Sequence, residues 1–550
     1  MNLIGAAALL WGIGLGLSPA EEKDAVQPSA PAERSPLYGQ IQPLRPGQRL
    51  YVFQKGPRTP DSQFIAVQTL QGVSARRAGS CIWIDMGDPA FSDYLASNYQ
   101  IEFDRTYAED FSGLIRAVQS GTSGRYVLYD LQDKPSLSAA TTAAGLLDAA
   151  AADKELAEVF EKAGYTMALD VRGRDCRWVY ENFWPQLNHE AIIVHTPYKR
   201  QHPSAPFLRD WGPALRALDW WYPDEGYCRR VYRNVVPCSP VYGWQSPVSS
   251  DEGVAIRQHS EEGLFQIPSD WMVNLSVHAS LGPVLKEHRF VQKALRRQPA
   301  KEEGVHYVTF ILSDMDNILT EIGTRSFFSQ RKFYQNPHRG QFPMGWGMAP
   351  SLVELSPGGV DMWYQAAGET DGFVGYCGLG YFYPSHFPAM QEHADRLDTY
   401  LKRADLRTLL LIDRLEPEKK LTEEYAQVIR SFAELASIRG FFYLEYKAYA
   451  LHSGRILRVG DKPLVTARFD FRSDAFYENV RSSPQQLAAS INALPKDPSL
   501  PQGYTFVTVH AWSKGLDDIY ETIQQLDPKV RVVGPEEFIE LIRLNLPPAD

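Results

Sequence analysis

The sequence predicts an α/β protein of two domains, the second of them a β/α barrel. Three observations lead there. At 550 residues the chain exceeds what one ordinary core organises. Beyond Arg49, short apolar runs alternate with stretches of helical periodicity, which argues for α/β layering rather than a sandwich. From His306 to the C-terminus roughly seven or eight strand–helix units follow one another, the number a barrel requires. A doubly wound open sheet is the structural alternative, but no Gly-rich phosphate fingerprint follows the first strand.

In chain order, Leu3 to Leu17 carries no charge and is followed by Ser18-Pro19-Ala20. The stretch is shorter than the roughly 20 residues that span a bilayer. Its small residues fit a signal peptide over residues 1–20, cleaved near Ala20. No Lys or Arg precedes it, which makes an uncleaved anchor the lesser alternative. The expected location is secreted or periplasmic, with no stable membrane span once the signal is removed. Residues 21–46, rich in Pro, Ala and charge, read as a linker or surface arm. An N-terminal α/β domain is expected over 47–290. Its strands are Arg49 to Phe53, Cys81 to Ile84, Tyr126 to Tyr129, Thr166 to Leu169 and Ala191 to Val194. A helix is expected through the Ala-rich run from Ala139 to Ala152 and on to Phe160. A basic, helical stretch from about Leu285 to Lys301 leads into the barrel of 300–550. The barrel strands are expected at His306 to Leu312, Phe342 to Trp346, Phe373 to Tyr376, Thr408 to Ile412, Phe441 to Leu444, Leu464 to Ala467, Tyr504 to Val509 and Arg531 to Val533. The clearest intervening helices are Glu392 to Lys402 and Leu421 to Ile438.

Composition narrows the chemistry. The formal charge of −10 is spread along the chain, which weighs against a nucleic-acid partner. Aromatic residues make up 12%; such rings stack on the C–H faces of sugars, although large cores use the same residues. The five cysteines (Cys81, Cys176, Cys228, Cys238 and Cys377) are odd in number and lack metal-type spacing. Cys228 and Cys238 are close enough in sequence to bridge a short loop. There is no HExxH helix, zinc Cys/His spacing, G-x-S-x-G elbow or P-loop, and the reading calls for no cofactor and no metal.

The sharpest local feature is Ser313-Asp314-Met315-Asp316-Asn317, directly after the first barrel strand, where a barrel opens its active-site mouth. Two acids at i and i+2 can converge on one water, and mutual repulsion then raises one pKa. The competing reading is that one Asp caps the next helix. Ser250-Asp251-Glu252-Gly253, preceded by Tyr242-Gly243-Trp244, puts an acid in a Gly-flanked loop beside aromatics. Pro268-Ser269-Asp270-Trp271 is as densely polar as a domain interface, with Asp270 carried forward as a substrate contact. Asp371 precedes a strand that leads into Gly378-Leu379-Gly380-Tyr381-Phe382-Tyr383-Pro384, where exposed Tyr381 and Tyr383 would stack on sugar. A buried aromatic turn is the equal alternative. In Val509-His510-Ala511-Trp512, His510 and Trp512 fall on one side of an extended chain.

The Gly378 to Pro384 segment resembles the signature of the GxGYxYP family. Collinear matches run from about residue 49 to the C-terminus: Gln71-Gly72-Val73, Arg76-Arg77, Ser269 to Ser276, Thr309 to Asn317, Gly345 to Leu352 and His510-Ala511-Trp512. The resemblance implies a glycoside hydrolase of the kind linked to polysaccharide breakdown. It implies an N-terminal domain of three divergent α/β repeats followed by a seven-stranded β/α barrel, with the site in the cleft between them. That site is similar to the one in inverting cellulases, with one Glu from the N-terminal domain and two Asp from the first barrel strand. Asp314 and Asp316 match the pair, with Met315 where Gly is usual. The Glu matches Glu252, with Glu261 and Glu262 as alternatives.

The expected reaction is inverting hydrolysis across a gap of roughly 6.5–9.5 Å, Glu252 protonating the leaving oxygen while Asp314 and Asp316 activate water. Trp244, Asp270, Asn317, Asp371, Tyr381, Tyr383, His510 and Trp512 are the expected carbohydrate contacts. A non-catalytic glycan-binding protein is the rival reading. A metal-dependent polysaccharide deacetylase is the second, though its His-x-x-x-His ligand pattern is missing: His386 and His393 are seven residues apart.

Overall fold

Short apolar strands joined by helical crossovers pair in parallel. The computed structural model follows that rule in every named strand pair but one, the antiparallel hairpin of Ile456–Val459 with Lys462–Thr466. It describes residues 34–546 apart from 134, 196–204, 222–223, 245–251, 295–298, 416–420 and 423. The expected signal peptide and residues 21–33 of the expected linker lie outside the described residues, as do Ser250 and Asp251. The end of that linker is packed rather than free. Ile41 and Leu44 are buried, and the N–H groups of Gln42 and Leu44 donate to the carbonyls of Ala75 and Ser280.

Three parallel sheets come first. Ile82–Asp85, Arg49–Gln54 and Glu102–Asp104 form one, and Ala150–Asp153, Arg125–Tyr129 and Thr166–Asp170 the second. The third is Phe265–Pro268, Pro240–Gly243, Asn188–Val194 and Ala217–Trp220. In each, the strand that comes first in sequence lies between the second and the third. Helix Asp61–Arg77 crosses close to helix Trp211–Leu215, because Gly72 has no side chain: a Cβ there would lie 1.9 Å from the Asp210 carbonyl oxygen.

The Ala-rich run does not remain helical. Helix Pro135–Leu147 stops, Asp148 turns with φ 55°, and Ala150–Asp153 is a strand. Arg76, Arg77 and Arg216 converge on Asp148, and the Ala151 N–H donates to the Thr69 hydroxyl at 2.9 Å. Small side chains let helix Asp61–Arg77 lie directly on this strand, and that packing outweighs alanine's helix propensity. Strands Glu102–Asp104, Ala217–Trp220, Pro240–Gly243, Phe265–Pro268 and Phe469–Phe471 were not expected from the sequence.

A larger curled sheet follows. Its centre runs Gly440–Glu445, Thr408–Asp413, Asp371–Tyr376, Met344–Met348, His306–Leu312, Tyr504–Val509. Lys462–Thr466 flanks it at one side and Phe469–Phe471 at the other. These flanks are consecutive in the chain: the Ala467 N–H donates to Tyr443 while the Arg468 N–H donates to Phe506. The residues of His306–Leu312 are all buried, as a strand covered on both faces must be. Helix Met390–Arg403 forms as expected. The described residues between Leu285 and Lys301 hold no helix, and Leu421 to Ile438 breaks into Tyr425–Val428 and Arg430–Ala433. None of the five cysteines is in a disulfide, so no bridge joins Cys228 to Cys238; the Trp220 indole N–H donates to the Cys228 sulfur instead. Among the described residues no helix is long and apolar enough to cross a membrane.

The third small sheet is linked to the segment that follows strand Asp371–Tyr376 of the large one. Gln266 and Tyr381 exchange two backbone hydrogen bonds, of 2.8 and 2.6 Å. Gly380 makes the approach possible, since a Cβ there would lie 2.5 Å from the Gln266 carbonyl oxygen and 2.8 Å from the Phe265 ring. Gly380→Ala is expected to destabilise the fold by about 2 kcal/mol through this overlap. Urea denaturation checks it; an unchanged midpoint would mean the contact is dispensable.

Candidate functional site

Parallel strands deliver their C-terminal ends to one side of a sheet, and a cavity of about 450 Å³ opens there. Glu252, Asp270, Asp314 and Asp316 line it, with Trp244, Trp271, Trp512, Tyr381, Tyr449, Asn317 and Arg325.

The Asp314–Asp316 segment is shaped by what surrounds it. Ser313 continues the strand by donating its N–H to the Val509 carbonyl at 2.9 Å. Asp314 then takes a left-handed backbone, φ 61°, and its N–H donates to the Tyr376 hydroxyl at 2.9 Å. Such a conformation is unfavourable for a non-glycine residue and persists only where neighbours impose it. The Ser313 hydroxyl donates to the Asp314 carboxylate. Met315 turns away from the cavity and is fully buried against Gly347, where a Cβ would lie 2.2 Å from its own. Capping of the next helix falls to Asn317, whose side-chain oxygen accepts from the Leu319 N–H at 3.1 Å. Both aspartates are thereby left for other work.

Burial separates the two. Asp316 is 8% exposed, and its carboxyl is pushed up to about 8 by that burial, then by the charge of Asp314, with Glu252 adding to it. Glu321, on the following helix turn, is also fully buried and pushed well above the carboxylate range for the same first reason; it accepts from the Ala349 N–H at 3.1 Å.

Glu252 reaches the cavity as the first residue of helix Glu252–Glu261, not from a loop. Tyr446 holds the start of that helix by accepting from the Gly253 N–H at 3.1 Å. Its far end is held by the Ser260 hydroxyl, which accepts from the Tyr383 N–H at 2.9 Å. A helix N-terminus favours the ionised form of a carboxylate. Glu261 and Glu262, the alternatives from sequence, lie at the opposite end of the helix, paired with Arg229, Arg257 and Arg233.

Two family models match the chain: the GxGYxYP putative glycoside hydrolase C-terminal domain over residues 304–543, and the GxGYxYP_N second domain over 124–187. The chain belongs to the GxGYxYP family. A crystal structure of a putative hydrolase from Bacteroides thetaiotaomicron VPI-5482 is similar over 95% of this chain and 99% of that one, with 25% identity and a TM-score of 0.83. No curated protein matches the sequence.

The GxGYxYP segment is not an exposed sugar platform. Tyr383 is fully buried and Tyr381 is 4% exposed, their hydroxyls 3.4 Å apart; Tyr381 alone of the two borders the cavity. The backbone pairing with Gln266 draws both rings inward. Asp371 is also corrected. It starts its strand rather than ending it, and it is buried with Arg339 at 2.6 Å and the Trp346 indole N–H at 2.9 Å. His510 and Trp512 do not share a face, because the chain leaves the strand at Val509 and turns: Ser513 and Lys514 both donate to the His510 carbonyl. Trp512 is 46% exposed on the cavity rim, while His510 is buried. The Arg472 guanidinium donates to His510 Nε2 at 3.1 Å, so the ring proton sits on Nδ1, facing Ser513 Oγ at 2.8 Å. Burial lowers this imidazole's affinity for a second proton. No ring nitrogen is left for a sugar. Sequence reasoning missed Tyr449 and Arg325, which carry no motif. Trp271 was visible in its motif but had no role assigned.

Asp316 links the site to stability. Between about pH 4 and 8 the folded chain keeps a proton there that the unfolded chain has released, so folding loses stability as pH rises across that window. Asp316→Asn removes this opposition and is expected to stabilise the fold by about 3 kcal/mol at pH 8, and by less at pH 5. Urea denaturation at the two pH values checks it; equal effects at both would contradict the assigned burial.

Proposed function

We propose that this cavity hydrolyses a glycosidic bond in a poly- or oligosaccharide, and that it does so with inversion. The observation that carries the reading is a buried carboxyl, pushed up to about 8 by its burial, beside three further acids in one aromatic-rimmed cavity. Glycoside hydrolysis needs one protonated and one ionised carboxyl on opposite sides of the bond. Asp316 suits the proton donor, because burial raises it. Glu252, at a helix N-terminus, suits the ionised base that activates water. Asp314 supplies the charge that holds the Asp316 proton in place and orients the segment. These roles reverse the ones read from sequence, for electrostatic reasons that spacing alone does not reveal. The family descriptions and the aromatic rim support carbohydrate as the substrate class.

In the same reading the curled sheet is a seven-stranded β/α barrel. Lys462–Thr466 and Phe469–Phe471 count as one interrupted strand that changes partners at Ala467–Arg468. Action outside the cytoplasm is the matching location, supported by the uncharged run Leu3 to Leu17.

The test is a polysaccharide panel scored for reducing ends and for the anomer first released. Asp316→Asn and Glu252→Gln are each expected to lower turnover by about 10²–10⁴-fold with binding retained. Turnover of the native chain should fall as pH rises through about 8, where Asp316 loses its proton. Release of the retained anomer would overturn inversion. Binding of a glycan without any cleavage would favour the non-catalytic reading.

A further inference from the structure

Arg325 lines the cavity from the segment just after helix Ile318–Ile322. Glu252, Asp270, Asp314 and Asp316 line the same cavity, yet the Arg325 guanidinium pairs with none of them. Among the described residues it lies instead over the Trp271 ring, 4.9 Å from its centre. Other arginines of this chain behave differently near carboxylates: Arg76 and Arg77 hold Asp148 at 2.7 Å, and Arg339 holds Asp371 at 2.6 Å. The Trp271 ring is itself fixed, packed at 5.1 Å against Phe207, and the Thr324 hydroxyl donates to its carbonyl at 3.5 Å.

A guanidinium stacked on an aromatic face is held in position while its forked N–H donors, which lie in its own plane, stay available to a ligand. That fork matches the two oxygens of a carboxylate or sulfate. A neutral sugar would find hydroxyl acceptors enough in the four acids. An anionic sugar would be repelled by those of them that are ionised unless a cation faced its charge.

The geometry points to a substrate that carries an oxyanion, a uronate carboxylate or a sulfate ester, received by Arg325 while its sugar ring lies between Trp244 and Trp512. This rests on reading the cavity as a glycan site, and it names the class of glycan. Recognition is by the Arg325 fork, and the carboxylates opposite restrict the anion to that one position.

The test is calorimetric binding of three ligand sets: uronate-containing oligosaccharides, their carboxyl-reduced neutral counterparts, and sulfated oligosaccharides. The full chain is compared with Arg325→Gln and Arg325→Lys; Arg325 is exposed, so the fold is expected to tolerate both. One acidic set should bind about 30-fold tighter than its neutral counterpart, the ratio ordinary for a charge-assisted pair. Arg325→Gln should abolish that preference without weakening neutral ligands, and Arg325→Lys should restore part of it. Which acidic set responds separates carboxylate from sulfate. Equal binding of neutral and acidic sets, a preference that survives Arg325→Gln, or no binding of any acidic set overturns the inference. Cleavage of neutral and acidic glycans at equal rates, both indifferent to Arg325→Gln, overturns it while leaving hydrolysis standing. Arg325-dependent binding of an acidic glycan with no reducing ends released does the reverse.

Discussion

Two backbone hydrogen bonds between Gln266 and Tyr381 tie the small sheets to the large one, and the cavity depends on them. Once Tyr381 is paired, Tyr383 follows inward and its N–H meets Ser260, at the end of the helix that begins with Glu252. Tyr446, from the loop after strand Gly440–Glu445, holds the beginning of the same helix. An acid from one part of the chain is therefore brought opposite acids from another by contacts that involve no acid. The glycines of the signature serve this closeness. At Gly380 no side chain fits, and Gly378 takes φ 73° with the His393 ring where a Cβ would project.

The mouth of the large sheet is crowded with buried carboxyls, and their surroundings divide them by task. Asp413 accepts from the Ser385 N–H and hydroxyl and from the Tyr425 hydroxyl, so its burial is compensated by hydrogen bonds. Glu445 is met by Tyr443, His452 and the Leu415 N–H in the same manner. These acids organise loops. Among the described residues Asp316 has no comparable set of donors, and it stands beside another acid, so its affinity for a proton rises. The strained backbone at Asp314 belongs to the same economy of the site: Tyr376 and Ser313 hold a conformation that brings two acids close together.

Much of this was legible beforehand. Strand His306–Leu312 stood out as an unbroken apolar run, and the acids at its end were identifiable because a strand's C-terminal end is where such sheets place chemistry. Glu252 stood out in sequence as a Gly-flanked acid beside aromatics, with Glu261 and Glu262 left as alternatives; in the structure one helix puts its two ends, and so these acids, on opposite sides. Asp371, Tyr383 and His510 had the composition of contacts but not the position. Each is buried by partners distant in sequence: Arg339, Ser260 and Arg472.

By itself the sequence determined the alternation of strands and helices, the parallel layering and the family, because periodicity and short motifs are properties of neighbouring residues. Only the tertiary structure decided that Ala150–Asp153 is a strand, that Asp316 rather than Asp314 is the buried acid, and that Arg325 and Tyr449 border the cavity. Burial, electrostatic environment and the lining of a cleft arise from segments hundreds of residues apart, and no local pattern encodes them.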